Sequence, residues 1–350
     1  MYGFIGDLHI GVNLPNDDYL KSLNMYYGLI KECKEECKGI FIVGDLFDHR
    51  LSIEENKFAA LFIANLVCNG VGKNGKNVPV YFVHGTFNHD LNQYEEFIPL
   101  LERMKGIEFK YFKTACETVI DGHSVLVIPH ETGNLDYSQF HKEYDLIVGH
   151  GVIMSDIKPV FLKNVSGMRF SDRSLGEMSK LCVFGHFHGY TDFGNGVYYT
   201  GPWLRWKYGE DTKRVFFFCD DNFNVFTRDN PFAIEYRTIE IENPDELREA
   251  INVDISTPHR FIINATPNNI DTYRGIILST AQNKNIRYQL TEIIENKDTN
   301  NDAEKNEQLF DDVWAKPIPQ LMEYIMGNYG INTEEQLTNY ENRLRKDLKE

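Results

Sequence analysis

The sequence predicts an α/β fold, followed by a smaller α+β unit and then a helical tail. Three observations carry this reading. Over roughly the first 200 residues, short apolar runs bounded by Gly, Pro or Asp alternate with longer amphipathic stretches, the signature of α/β layering. After about Gly209 strand-like runs dominate. Residues 295–308 (ENKDTNNDAEKNEQ) are almost wholly polar, and a helical apolar stripe follows them.

In the first segment Met1–Ile5, Gly39–Val43, Val78–Val83, Ser124–Ile128, Asp145–Val148 and Leu181–Phe184 read as strands. Tyr19–Lys38 and Ile53–Asn69 read as helices between the first of them. In the second helix Phe58, Leu61, Phe62, Asn65 and Leu66 follow the 3.6-residue period apart from the one Asn. Further along, Val215–Cys219, Asn224–Thr227, Tyr236–Ile241, Arg260–Ala265 and Arg287–Ile294 are strand-like, with helices at Asp245–Asn252 and near Tyr273–Gln282. The expected organisation is a first domain over 1–209, a small α+β domain over 210–294, a linker over 295–308 and a helical segment over 309–350. In that last segment Ile318, Leu321, Met322, Ile325, Met326 and Tyr329 sit at helical spacing. Thr333-Glu334-Glu335-Gln336 matches a capping box that opens a second helix. The apolar stripe of this hairpin needs a cover, either its own chain or a partner.

Composition narrows the function classes. A 42% apolar and 13% aromatic content suits a globular chain and excludes a disordered one. No stretch approaches the roughly 20 apolar residues of a membrane helix. The start, Met1-Tyr2-Gly3-Phe4-Ile5, lacks the basic region of a signal peptide, so the expected location is cytoplasmic. Of the six cysteines only Cys33 and Cys37 are close, spaced i, i+4 on the expected first helix, and no second pair completes a zinc site. All six read as reduced thiols. The net charge of −16 runs against a uniformly basic nucleic-acid surface. The charge is uneven, however: residues 292–312 hold eight acidic residues against two lysines, and residues 151–214 hold nine Lys/Arg against six Asp/Glu.

The chemistry lies just past the strand-like runs, where α/β sheets build their sites. The first run leads into Gly6-Asp7-Leu8-His9 and the second into Gly44-Asp45-Leu46-Phe47-Asp48. The third leads into His84-Gly85-Thr86-Phe87-Asn88-His89-Asp90. Later runs lead into Gly149-His150-Gly151 and Gly185-His186-Phe187-His188-Gly189. Oxygen and imidazole donors without a thiolate suit Mn, Fe or Zn in an open site better than a structural zinc. A shared carboxylate can bridge two cations about 3.5–4 Å apart, the spacing that clamps a phosphoryl group. Any one piece alone is commonly structural; five in order are not.

This series of D-x-H, G-D-x-F-D, N-H-D, G-H and G-H-x-H resembles the calcineurin-like metallophosphoesterase superfamily. Within it, the series resembles the SbcD-type DNA repair exonucleases and their bacteriophage recombination-nuclease relatives. Gly44-Asp45-Leu46-Phe47-Asp48 is similar to the G-D-x-F-D of that branch. Tyr199-Thr200-Gly201-Pro202-Trp203-Leu204-Arg205-Trp206-Lys207-Tyr208-Gly209-Glu210 resembles the segment where such enzymes leave the nuclease domain. The resemblance implies a four-layer metallophosphoesterase β-sandwich flanked by helices, with a small α+β capping domain that binds DNA and a C-terminal helical hairpin. It implies two divalent cations, Mn2+ foremost. One would be held by Asp7, His9, Asp45 and His188, the other by Asp45, Asn88, His150 and His186, with Asp45 bridging. His89 would act on the leaving oxygen with its ring oriented by Asp90, and Asp48 would support the ligands. One departure stands out: the family pattern is G-N-H-D, whereas two residues separate Gly85 from the Asn here.

The implied activity is phosphodiester hydrolysis, as 3′→5′ exonuclease on duplex ends and endonuclease on single strands, in DNA recombination, repair or replication. The implied partners are DNA, a second copy of the chain, and an SbcC-type SMC-like ATPase docking on the C-terminal helices. Candidate phosphate contacts are Arg50, Lys158, Lys163, Arg169, Arg173, Arg205 and Lys207, each of which on its own reads more readily as a solvated surface charge. Trp203 and Trp206 are candidates for stacking on bases or for the core. The rival reading is a small-molecule phosphodiesterase or phosphatase of the same superfamily.

Overall fold

A computed structural model describes residues 1–12, 17–130, 140, 143–155, 169–206, 208, 210, 213–252, 259–280 and 286–292. The expected linker and helical hairpin at 295–350 lie outside the described residues. All described residues but Glu292 fall in one compact unit, Met1–Thr291.

The chain opens with the alternation the sequence predicts. Strand β1 (Tyr2–Ile5), helix α1 (Asp18–Glu32), strand β2 (Gly39–Val43), helix α2 (Ile53–Val67) and strand β3 (Val80–Val83) follow in turn. A one-turn helix α3 (Phe87–Asp90), helix α4 (Tyr94–Leu101) and strand β4 (Phe109–Phe112) complete this half. The four strands are parallel neighbours in the order β1-β2-β3-β4. Helix α1 is shorter than its polar tail suggests. The buried stripe Tyr19, Leu23, Tyr26, Tyr27 and Ile30 ends one turn before Cys33, whose extended backbone stops the helix. Cys33 and Cys37 therefore do not share a helical face, and all six cysteines are free thiols. In α2 the buried stripe is Ala59, Phe62, Ile63, Leu66 and Val67, so Leu61 faces solvent rather than the core. Ser52 and Glu55 form a capping box at its start: the Ser52 N–H donates to Glu55 Oε2 at 2.5 Å and the Glu55 N–H to Ser52 Oγ at 3.4 Å.

The second half adds β5 (Cys116–Ile120), β6 (His123–Ile128), β7 (Tyr144–His150), the short β8 (Val152–Met154) and β9 (Arg169–Ser171), and helix α5 (Asp172–Met178). Then come β10 (Ser179–Gly185), β11 (Thr191–Asp192) and β12 (Val197–Tyr199). Six of these strands form a second sheet in the order β11-β12-β10-β7-β6-β5. The two large sheets share a core: Phe4, Phe41, Val43 and Val83 of the first pack with Val125, Val127, Val148 and Val183 of the second. The alternate residues Ile5, Ile40, Ile42 and Phe82 face α1, α2 and α4, and Ile147, Cys182 and Phe184 pack with Leu175 of α5.

Strands β13 (Val215–Cys219) and β14 (Val225–Asp229) depart from expectation. Read from sequence as the start of the separate α+β domain, they instead extend the first sheet, with β13 antiparallel to β1 and β14 antiparallel to β13. Val-Phe-Phe-Phe-Cys is buried at every position, as an interior strand covered on both faces requires. The small unit begins later, with β15 (Arg237–Ile241), α6 (Pro244–Ile251), β16 (His259–Ala265), α7 (Ile270–Thr280) and β17 (Ile286–Glu292). It has a core of its own around Leu247, Phe261, Ile263 and Tyr273. No helix among the described residues is long and apolar enough to cross a membrane.

Candidate metal centre

The loops after β1 and β2 are knitted to each other. The His9 N–H donates to the Asp45 carbonyl at 3.0 Å, Ile10 to Leu46 at 2.9 Å, and Asp48 back to Ile10 at 3.1 Å. These bonds hold Asp7, His9 and Asp45 at φ values of 47°, 45° and 46°, in the left-handed region that costs a non-glycine residue about 1–3 kcal/mol. Such strain persists only where the surroundings over-determine it. Two glycines leave room for the approach. A Cβ on Gly44, which has φ +84°, would stand 2.2 Å from His150 Nδ1, and one on Gly85 would stand 2.0 Å from the Asp45 N.

Two clusters of ligand-type atoms result, His9–Asp45–His89 and Asp45–His150–His186. Within each, the candidate atoms lie within 4.8 Å of one another. Asp45 belongs to both: its Oδ2 is 3.8 Å from His9 Nε2 and 3.2 Å from His150 Nε2. His188 Nε2 lies 2.9 Å from His9 Nε2. Asp7 is fully buried; its Oδ1 accepts from the His186 N–H at 2.7 Å, and its Oδ2 has no hydrogen-bond partner among the described residues.

The rings are aimed from behind. His150 Nδ1 donates to the Val43 carbonyl at 2.8 Å, His9 Nδ1 lies 3.2 Å from Asp48 Oδ1, and His188 Nδ1 lies 3.3 Å from Glu210 Oε1. The bonds at His150 and His188 Nδ1 leave Nε2 of each ring towards the interior of the site, the arrangement that fixes the tautomer of a ligating histidine. Asp48 stands behind the His9 ring. Burial opposes ionisation of Asp48, yet His9 and His49 bring its carboxyl down to about 2. Burial also opposes ionisation of Asp45, but His150 and His9 hold it well below the usual carboxylate range. Burial disfavours a charged His150, and the carboxylates of Asp45 and Asp7 outweigh that, lifting it to about 9.

Six of the seven expected ligands, Asp7, His9, Asp45, His150, His186 and His188, converge here. Asn88 does not. The two extra residues wind into α3, whose first carbonyl, that of Thr86, accepts from the His89 and Asp90 N–H groups at 3.0 and 2.9 Å. This turn leaves Asn88 exposed and puts Thr86 at the cluster instead. The Thr86 hydroxyl lies 3.2 Å from Asp45 Oδ2, 3.3 Å from His150 Nε2 and 3.4 Å from His186 Nδ1.

Asp90 does not orient His89 either. It is buried and accepts from the Gly85 and Phe47 N–H groups at 2.7 and 3.1 Å, bracing the two loops, while His89 Nδ1 rests 2.5 Å from the Asp48 carbonyl oxygen. Burial and the nearby Asp45 raise the Asp90 carboxyl far above its ordinary value.

Glu210, the last residue of the exit segment, stands behind His188, a role that nothing in the sequence marks. Its Oε2 accepts from the Trp206 N–H at 2.8 Å and pairs with Arg214 Nη2 at 2.9 Å, both groups being buried. Trp203 and Trp206 are core residues, packed on Tyr26 and Tyr19. Arg205 donates to the carbonyls of Glu210 and Ala233 at 3.1 and 2.9 Å, so its guanidinium is committed to this strap. Arg50 pairs with Glu96 and Arg173 with Glu177, both on the surface. Lys158, Lys163, Lys207 and the side chain of Arg169 lie outside the described residues.

The donor set fits divalent cations. It is buried imidazole and carboxylate with no thiolate, and it contains an unpartnered carboxylate oxygen. Two nitrogens each about 2.1 Å from one cation, at right angles, stand about 3 Å apart. The His9–His188 separation of 2.9 Å matches.

The family profile described as calcineurin-like phosphoesterase matches residues 2–190. That span contains every residue of the two clusters and ends before Glu210. Among solved structures, a protein of unknown function from Aquifex aeolicus is similar at 14% identity, over 57% of this chain and 88% of that one, with a TM-score of 0.27. No curated protein matches the chain.

Proposed function

The chain belongs to the calcineurin-like phosphoesterase family, and from that premise we propose that it is a two-metal phosphodiesterase whose substrate is DNA. The observation that carries the chemistry is the position of Asp45, one carboxylate shared by two histidine clusters. Cations bound there would neutralise phosphoryl oxygens and lower the pKa of water towards about 7. The protein's own groups do the rest. Asp48 and Glu210 lie behind the His9 and His188 rings, whose Nε2 atoms would face a bound cation. Asp90 pins the Gly85 and Phe47 backbones. His89, with its side chain 35% exposed, stands at the rim. Because its Nδ1 donates to the Asp48 carbonyl, its Nε2 carries a proton only as imidazolium. In that form it donates to the departing sugar oxygen, a contribution of about 10²–10⁴-fold.

The DNA reading is supported by the exit segment Tyr199–Glu210 and by the α+β unit with its own core. Arg50 and Arg173 are compatible with it. Exposed ion pairs contribute about 0–1 kcal/mol, so either arginine can exchange its carboxylate for a phosphate. Assembly with a second copy and with an SMC-like ATPase, the latter through residues 309–350, belongs to the same proposal, as does Mn2+ as the preferred ion. One observation favours the rival small-molecule diesterase: the described basic candidates are all paired or committed, and the net charge is −16.

End-labelled linear duplex DNA with Mn2+, tested with the intact protein and His89→Ala alongside bis-p-nitrophenyl phosphate, separates the two. Nucleotide release that the variant loses, while it still binds Mn2+, supports the nuclease. Turnover of the small diester without DNA cleavage favours the rival. Because His89 also lies within reach of His9 and Asp45, loss of cation binding in His89→Ala would make it a ligand rather than an acid.

A further inference from the structure

We propose that His130 is a ligand of the cation at the Asp45–His150–His186 cluster, taking the coordination position that Asn88 leaves. The inference rests on reading that cluster as a metal site. His130 follows β6 by two residues, and its N–H donates to the His84 carbonyl at 3.0 Å, which ties it to the end of β3. The residue is 7% exposed, and neither ring nitrogen has a hydrogen-bond partner among the described residues. Burying a polar group unpaired costs about 1–3 kcal/mol, so an imidazole with both nitrogens unpaired is an unfavourable thing to keep inside a fold unless something else binds it.

Its neighbours point to a cation. The His130 ring lies 5.6 Å from the His186 ring and 6.0 Å from the His150 ring, centroid to centroid, and those two are 5.3 Å apart. A ligating nitrogen about 2.1 Å from a cation puts the ring centroid about 3.2 Å away, so two imidazoles on one cation are about 5–6 Å apart at tetrahedral and wider angles. The three rings form a triangle of that size. Thr86, which occupies the place nearest Asp45, offers only a neutral hydroxyl, a weaker donor than imidazole for Mn, Fe or Zn. The extra turn at α3 carries Asn88 to the surface, while His130, from the neighbouring sheet, brings its ring beside those of His150 and His186.

Metal content after equilibrium dialysis against Mn2+, with Co2+ absorption as a second readout of the ligand field, tests this without reference to turnover. The intact protein and Asn88→Ala should each retain about two cations. His130→Ala should retain about one, with the second bound about 10- to 100-fold more weakly. His130→Asn should recover part of that loss. In EDTA, His130→Ala should unfold at the same temperature as the parent or higher, because it removes unpaired buried groups, but gain less on addition of Mn2+. His130→Gln keeps the bulk should alanine fail to fold. Two cations held at parental affinity by the His130 variants, or one lost in Asn88→Ala, would overturn the proposal. An intact protein that binds no cation would instead overturn the reading of the cluster itself.

Discussion

Replacing Glu210 by glutamine removes one negative charge from a buried network and almost no volume. The residue is 8% exposed and its partner Arg214 is 3% exposed. Burial opposes ionisation of Glu210, but His188, the Trp206 N–H and Arg214 bring its carboxyl down to about 2. In the variant, Arg214 stays in place, because its Nε and Nη1 donate to the Leu204 and His188 carbonyls at 3.2 and 3.1 Å, and its charge loses the facing carboxylate at 2.9 Å. Breaking a buried pair from one side costs about 3–5 kcal/mol. The glutamine oxygen can still accept a hydrogen bond, so about 3 kcal/mol is expected, a fall of about 6–12 °C in the melting temperature of a body this size. An exposed pair such as Arg173–Glu177 should give no more than about 1 kcal/mol on the same treatment. The substitution also takes the negative charge off His188 Nδ1, so Mn2+ affinity should fall about 10- to 100-fold. Thermal unfolding in EDTA and a Mn2+ titration measure the two effects separately. A melting temperature within about 1 °C of the parent, with unchanged Mn2+ affinity, would refute the role assigned to Glu210.

Ser52→Ala should lose the capping box of α2 and about 1 kcal/mol, read as a lower urea midpoint at constant slope; an unchanged midpoint would mean the α2 start is held by packing alone. Burial brings the His84 ring down to about 4. The unfolded chain therefore takes up its proton as pH falls through about 6.5, while the folded chain resists until about 4. Stability should thus be lost across that window by up to about 1.4 kcal/mol per pH unit. Urea midpoints at pH 7 and pH 4.5 should fall further for the parent than for His84→Gln, and parallel falls would remove His84 from the account.

The local parts of this protein are legible in its sequence. Strand-like runs ending in Gly-Asp or Gly-His place Asp7, His9, Asp45, His186 and His188 on the turns that follow β1, β2 and β10, and His150 at the end of β7. That reading works because strand period and turn chemistry are properties of a few adjacent residues. The same locality explains the errors. The polar residues after Ile30, with Cys33 and Cys37 at i, i+4, continue the helical pattern, but the apolar stripe that anchors a helix to the core stops at Ile30. In α2 the stripe is offset by one position, because a mixed apolar face does not say which edge turns inward.

What only the tertiary structure decided depends on residues far apart in the chain. Val215–Cys219 is an apolar strand by sequence, and nothing in its own residues says that it pairs with Tyr2–Ile5 rather than with the strands that follow it. The Asn-His-Asp order survives in the sequence, yet two inserted residues rotate Asn88 outward and Thr86 inward, since a helical turn carries each side chain about 100° around its axis. His130 lies in no motif and the exit segment assigns Glu210 no role; they matter because folding brings Glu210 behind His188 and His130 beside His186. Residue type and local spacing determined which groups could bind cations; the packing of two sheets decided which of them meet.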